Sequence, residues 1–189
     1  MRRSTILSLA IGCAVAGALG AGLFASGVLR PISSATPPRN PAWTEVAWPF
    51  PVDQFGRGKA YHCAAKHCGT DVKLYVRAKI GFCDCVSTIE DDEVDRVGDI
   101  DLIGGERAAL GPGRPIAVRW MKGRSRGYAL GAGGSAGKSA LSIAFHDRCD
   151  MIIATAAVAA SRPSMQEDAV IEFLNSDRIL RWAEVTLGL

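Results

Sequence analysis

Residues 72–80 place Val72, Leu74, Val76, Ala78 and Ile80 at every second position, with Lys73, Arg77 and Lys79 between them. A period of two predicts a half-buried strand with one wet face. Residues 116–120 alternate in the same way, and 121–127 reads as a basic turn leading into a further short strand at 128–130. Lys122, Arg124 and Arg126 then form a charged hairpin tip, the cationic spot where an anionic partner or headgroup would meet the chain. Leu141, Ile143 and Phe145 line one side of another strand. A polar turn over 146–150 folds it back into 151–158, a run apolar enough to be buried on both faces. The period lengthens elsewhere. Residues 88–98 predict a short helix with acids crowded into its first turn, a glycine at its exit and a solvated acidic face. Ser164 and Glu167 match a capping box. Val170, Ile171, Phe173 and Leu174 then make one apolar stripe, and Ile179, Leu180, Trp182 and Ala183 a second. This order predicts an α+β fold: a mostly antiparallel sheet with C-terminal helices on one face.

The N-terminus predicts a transmembrane or signal helix ahead of that fold. After Arg2 and Arg3 no charge occurs until Arg30, and residues 6–29 are apolar or small, enough to span a bilayer core. Basic residues before the run keep the N-terminus in the cytoplasm and export the remainder. The length favours an uncleaved anchor over a signal peptide, whose apolar core is typically about 7–15 residues. The chain thus divides into residues 1–30 as signal-anchor or signal peptide, 31–58 as a proline-rich tether with an aromatic docking segment (Trp43, Trp48, Phe50), and 59–189 as one exported domain. The expected location is the inner membrane, single-pass, with the C-terminal domain in the periplasm. Cleavage of the leader would instead release the domain into the periplasm.

The candidate chemistry is concentrated at Cys63, Cys68, Cys83 and Cys85, spaced Cys-x4-Cys-x14-Cys-x-Cys, with His62 and His67 adjacent as secondary ligand candidates. In an oxidising compartment such thiols form structural disulfides, and a hairpin would bring the two pairs to one corner of the sheet. The alternatives are a Zn or Cu(I) site and a redox-active pair. Zinc ribbons and thioredoxin-like motifs both use two-residue gaps, which neither pair has. Cys149 is the odd sulfur: a free or intermolecular thiol, or one that displaces one of the four in the pairing.

Charge narrows the function further. The net +3 arises in the leader: residues 1–30 hold three of the 22 bases and none of the 19 acids, leaving 19 against 19 in the body. That balance lacks the footprint of a nucleic-acid binder. Residues 131–139 end in Gly-Lys-Ser, but the first glycine of a phosphate loop falls on Ala132 and a strand pattern follows, so no nucleotide is expected. The acids near 91–101 fail the spacing of a calcium loop. No nucleophile–base or paired-carboxylate arrangement stands out, and no cofactor is implied. The expectation is a membrane-tethered, non-enzymatic domain, braced by disulfides, that binds a protein or envelope component. The alternative is a metal-handling or thiol-active accessory protein.

Overall fold

The computed structural model describes residues 43–81, 88–131, 137–160 and 162–189. These belong to a compact unit spanning Thr36–Leu189. The leader lies outside the described residues, and among the described residues no helix is long and apolar enough to cross a membrane.

Eight antiparallel strands make one sheet: β1 (Trp43–Val46), β2 (Lys59–Cys63), β3 (Val72–Lys79), β4 (Arg107–Ala109), β5 (Arg114–Val118), β6 (Met121–Leu130), β7 (Ser139–Asp147) and β8 (Asp150–Val158). Their order is β1-β2-β3-β8-β7-β6-β4, with β5 pairing the other half of β6. The helices are α1 (Ala65–Cys68), α2 (Asp91–Val97), α3 (Ser164–Leu174) and α4 (Asp177–Leu187), with a 3-10 turn at Ile100–Leu102. The sheet therefore begins at Trp43, inside the stretch read as tether and docking segment. Trp43 stacks on Phe173 of α3 at 4.8 Å, and Trp48 and Phe50 meet Tyr75 edge-on.

The C-terminal helices cover one face, as the stripes predicted. Leu74, Val76, Ile143, Phe145, Ile152 and Ala154 pack there against Val170, Phe173, Leu174, Ile179, Leu180 and Ala183. The opposite face is also covered, which the alternation did not predict. Val94 and Val97 of α2 pack with Ile89 on Ala144, Met151 and Ile153. Ile100 and Ile103 pack on Tyr128, Leu130 and Ala140. The supposedly wet side of β3 is consequently buried over its second half, with Arg77 4% and Lys79 5% exposed, whereas Lys73 is exposed as expected and Ile80, past the strand end, is exposed too.

Residues 121–127 are not a turn. They run inside the long strand β6, and the tight turn is Arg119-Trp120, where Val118 pairs Met121 and Arg119 takes φ 54°. Gly123 misled the pattern because its role is packing. A Cβ there would stand 2.4 Å from the Ala144 carbonyl oxygen and 2.7 Å from the Phe145 Cβ. Nor does Ser164 cap α3: the N-cap is Pro163, and Glu167, buried in the first turn, turns to Arg114 and Ser125 instead. The strand expected after the glycine loop is present as β7, paired to β8 through a turn at Arg148-Cys149.

Candidate functional site

Cys63, at the end of β2, and Cys68, at the end of α1, are bonded to each other. The single helical turn between them folds the chain back so that a local bridge forms. This bond removes both sulfurs from the set of metal-ligand and free-thiol candidates. Beside it, His62 Nε2 lies 2.7 Å from Asp71 Oδ2, while His67 sits half-buried on α1. Cys83 and Cys85 lie outside the described residues. Among the described residues, no group of three or more His, Cys, Asp or Glu side chains is placed to hold a metal.

Cys149 is disulfide-bonded, so of the readings open to it the free thiol drops out. Its partner lies outside the described residues. The two bonds are far apart: Cys63 is level with Val72 and Val158 in the register, whereas Cys149 precedes Asp150 at the other end of β8. That separation is about 25 Å of strand. The backbone N–H of Gly81, just past β3, donates to Asp150 Oδ1 at this second end. Cys63 and Cys68 thus close a bridge at one end of the sheet, while β3 delivers the chain to the opposite end.

The acidic segment proves to be the feature that organises the second face. Asp91, Asp95 and Asp99 recur every four residues and form one stripe turned towards the sheet. Opposite them, β6 presents Arg124 and Arg126, and β3 presents Arg77 and Lys79. Asp91 meets Arg124 and accepts the Gly113 backbone N–H at 3.0 Å. Asp95 takes the Arg126 guanidinium at 2.8 Å and the Tyr128 hydroxyl. Asp99 accepts a bidentate bond from Arg77 at 2.5 and 2.6 Å and an ion pair from Lys79 at 2.9 Å. Arg77 also reaches both oxygens of Asp53, and Lys79 donates to the Val97 carbonyl at 2.6 Å. The Phe55 ring lies over both cations.

Titration behaviour follows from these contacts. Burial pulls the Arg77 pKa down, but its hydrogen bonds to Asp99 and Asp53 outweigh that and raise it overall. The Arg77 hydrogen bond holds the Asp53 carboxyl below its usual value. The Gly113 N–H, then Arg124, does the same for Asp91. Burial, then the Asp95 bond, pushes the Tyr128 hydroxyl up. The basic residues read as a hairpin tip are therefore internal counter-ions, and the acids read as a solvated face are their partners. Each of these carboxylates faces a cation, and within the network only the buried Arg126 Nε lacks a partner among the described residues, so the network stabilises a position.

Among the clefts formed by the described residues, two border the sheet strands that carry these charges. One, of about 410 Å³, lies between the start of α3 and β6. Its charges are largely neutralised from within: Arg114 pairs Glu167 at 2.9 Å, and Ser125 donates to the same carboxylate. The other, of about 420 Å³, opens on the second face at the Val158 end of β8. Ala157 lies in its floor, because its short side chain leaves space between Tyr75 and Phe50 on one flank and Leu102, Ile103 and Leu130 on the other. The ammonium groups of Lys73 and Lys138 stand exposed in its lining, with no hydrogen bond or ion pair to them among the described residues. Asp71, also in the lining, is engaged by His62. Sequence reading missed this groove. Lys73 was legible as an outward position of β3, but the walls come from non-adjacent coil and turn segments.

No family model matches the chain, and no curated protein matches it. Among solved structures it is similar to the solution structure of cyanobacterial PsbP (CyanoP) from Synechocystis sp. PCC 6803, at 12% identity and a TM-score of 0.43. That similarity covers 69% of this chain and 76% of the other.

Proposed function

We propose that this chain is a non-enzymatic exported domain, held at the inner membrane by residues 6–29 with its C-terminal domain in the periplasm, that binds a protein or envelope component there. The observation that carries the reading is the covalent use of sulfur: Cys63 bonds Cys68, and Cys149 is bonded as well. Stable disulfides of this kind belong to oxidising compartments. The apolar leader with Arg2 and Arg3 before it supports the same topology. The surface supports binding rather than catalysis, since the buried acids are committed to the cations of the sheet and the open cleft is lined by apolar side chains and two unengaged lysines.

The test uses the full chain in a Gram-negative host. External protease should digest the domain in spheroplasts while leaving it intact in whole cells, and a thiol reagent added without reductant should leave Cys63, Cys68 and Cys149 unmodified. Protection of the domain in spheroplasts, or modification of those three residues, would contradict the proposal. Intact mass of the same preparation reports whether the leader is retained.

A further inference from the structure

We propose that the groove bounded by Lys73 and Lys138 is a binding site for an amphipathic monoanion, specifically an alkyl-chain carboxylate, with the chain along Tyr75, Ile103 and Leu130 and the carboxylate at the lysines. The assignment gives a ligand class to the binding reading above and rests on it only for the ligand's biological setting. Three observations carry it. First, the volume of about 420 Å³ is that of a small-molecule site rather than of a seat for a folded partner. Second, its charge is unbalanced. Lys73 and Lys138 are unengaged, whereas the one acid in the lining, Asp71, already contacts His62. The other cleft, by contrast, carries its own carboxylate against its arginine. Third, the floor comes from β3 and β8, which are interior strands paired on both sides. Their backbone donors and acceptors are used in the ladders, so an extended peptide cannot add to the sheet here. Affinity must then come from apolar burial and the two ammonium groups, which is the chemistry of an alkyl carboxylate. Burial raises the Tyr75 hydroxyl pKa, so the ring stays neutral beside an anion.

The experiment is calorimetric titration of the purified domain with sodium decanoate below its micellar range, with 1-decanol, sodium acetate and an acidic peptide as comparators. Saturable one-to-one binding of decanoate is expected, weaker by about tenfold or more for decanol and for the Lys73→Glu/Lys138→Glu variant. Acetate and the peptide should show no saturable binding. Both lysines are exposed, so that variant should keep the parent circular-dichroism spectrum. Ala157→Leu narrows the floor while preserving both charges and should also abolish binding. Failure of decanoate to bind, unchanged affinity in the charge-reversed variant, or equal affinity for acetate or the peptide would overturn the assignment. None of these results bears on the protease and thiol-labelling tests, so the two proposals fail separately.

Discussion

The two faces of the sheet are both closed, but by different chemistry. On one, α3 and α4 lay apolar stripes over Ile143, Phe145, Ile152 and Ala154, and the polar ties, such as Glu167 to Arg114 and Ser125, stand at the margin of an apolar layer. On the other, α2 brings only Val94 and Val97 to the apolar patch; Asp91 and Asp95 on the helix and Asp99 just past its end add charge against Arg124, Arg126, Arg77 and Lys79. Apolar contact is non-directional and tolerates sliding. Bidentate charge pairs fix position, at a desolvation cost that makes each partner dependent on the other. A seven-residue helix buries too little to be positioned by packing alone, and the acidic stripe supplies its register.

This contrast can be broken most sharply at Asp99. Asp99→Ala leaves Arg77 and Lys79 buried without their shared counter-ion and should cost about 3–5 kcal/mol in urea unfolding. Replacing Arg77, Lys79 and Asp99 together by Met, Met and Leu should recover most of that loss, because no buried charge is then left unpaired and Asp53, which loses Arg77, has access to water. Asp91→Asn should cost less, about 1.5 kcal/mol at neutral pH, since Arg124 and Gly113 keep some access to water. Its cost should also depend on pH. The folded carboxyls of Asp53 and Asp91 titrate below their unfolded value of about 3.9, so their stabilisation is complete above that pH and lost as pH falls through the folded values. Urea midpoints measured from pH 7 down to pH 2 should therefore drop below about pH 4, and less steeply for Asp91→Asn. On the helix-covered face, Ile152→Val should cost about 0.5–1.5 kcal/mol with no dependence on pH. Lys59→Ala, which removes the exposed pair to Glu45, should change stability by about 0.5 kcal/mol or less.

What the sequence made legible follows the same division. The period of two in β3, β7 and β8 and the stripes of α3 and α4 are carried by apolar residues whose burial is nearly obligatory, so the helix-covered face could be read directly. Charged positions are ambiguous, because a lysine on an alternating strand looks the same whether it meets water or an aspartate brought from elsewhere in the chain. Arg77 and Lys79 were read as wet for that reason, and Asp91, Asp95 and Asp99 as a solvated face. The four-residue spacing of those acids against two basic strands was the available signal. Cysteine spacing likewise could not separate a local Cys63–Cys68 bridge from a cross-strand one, because the turn at α1 carries no apolar signature. The lysine groove depends on walls from distant segments and left no local trace at all.

Charge pairing is what holds the segment from α2 to Asp99 in register on the second face. The most direct measurement is a double-mutant cycle between Arg77→Ala and Asp99→Ala, read from urea unfolding at neutral pH. A coupling of about 2 kcal/mol or more is predicted, with the double variant less destabilised than the sum of the singles. Additive losses, with coupling under about 0.5 kcal/mol, would contradict that role for the Arg77–Asp99 pair.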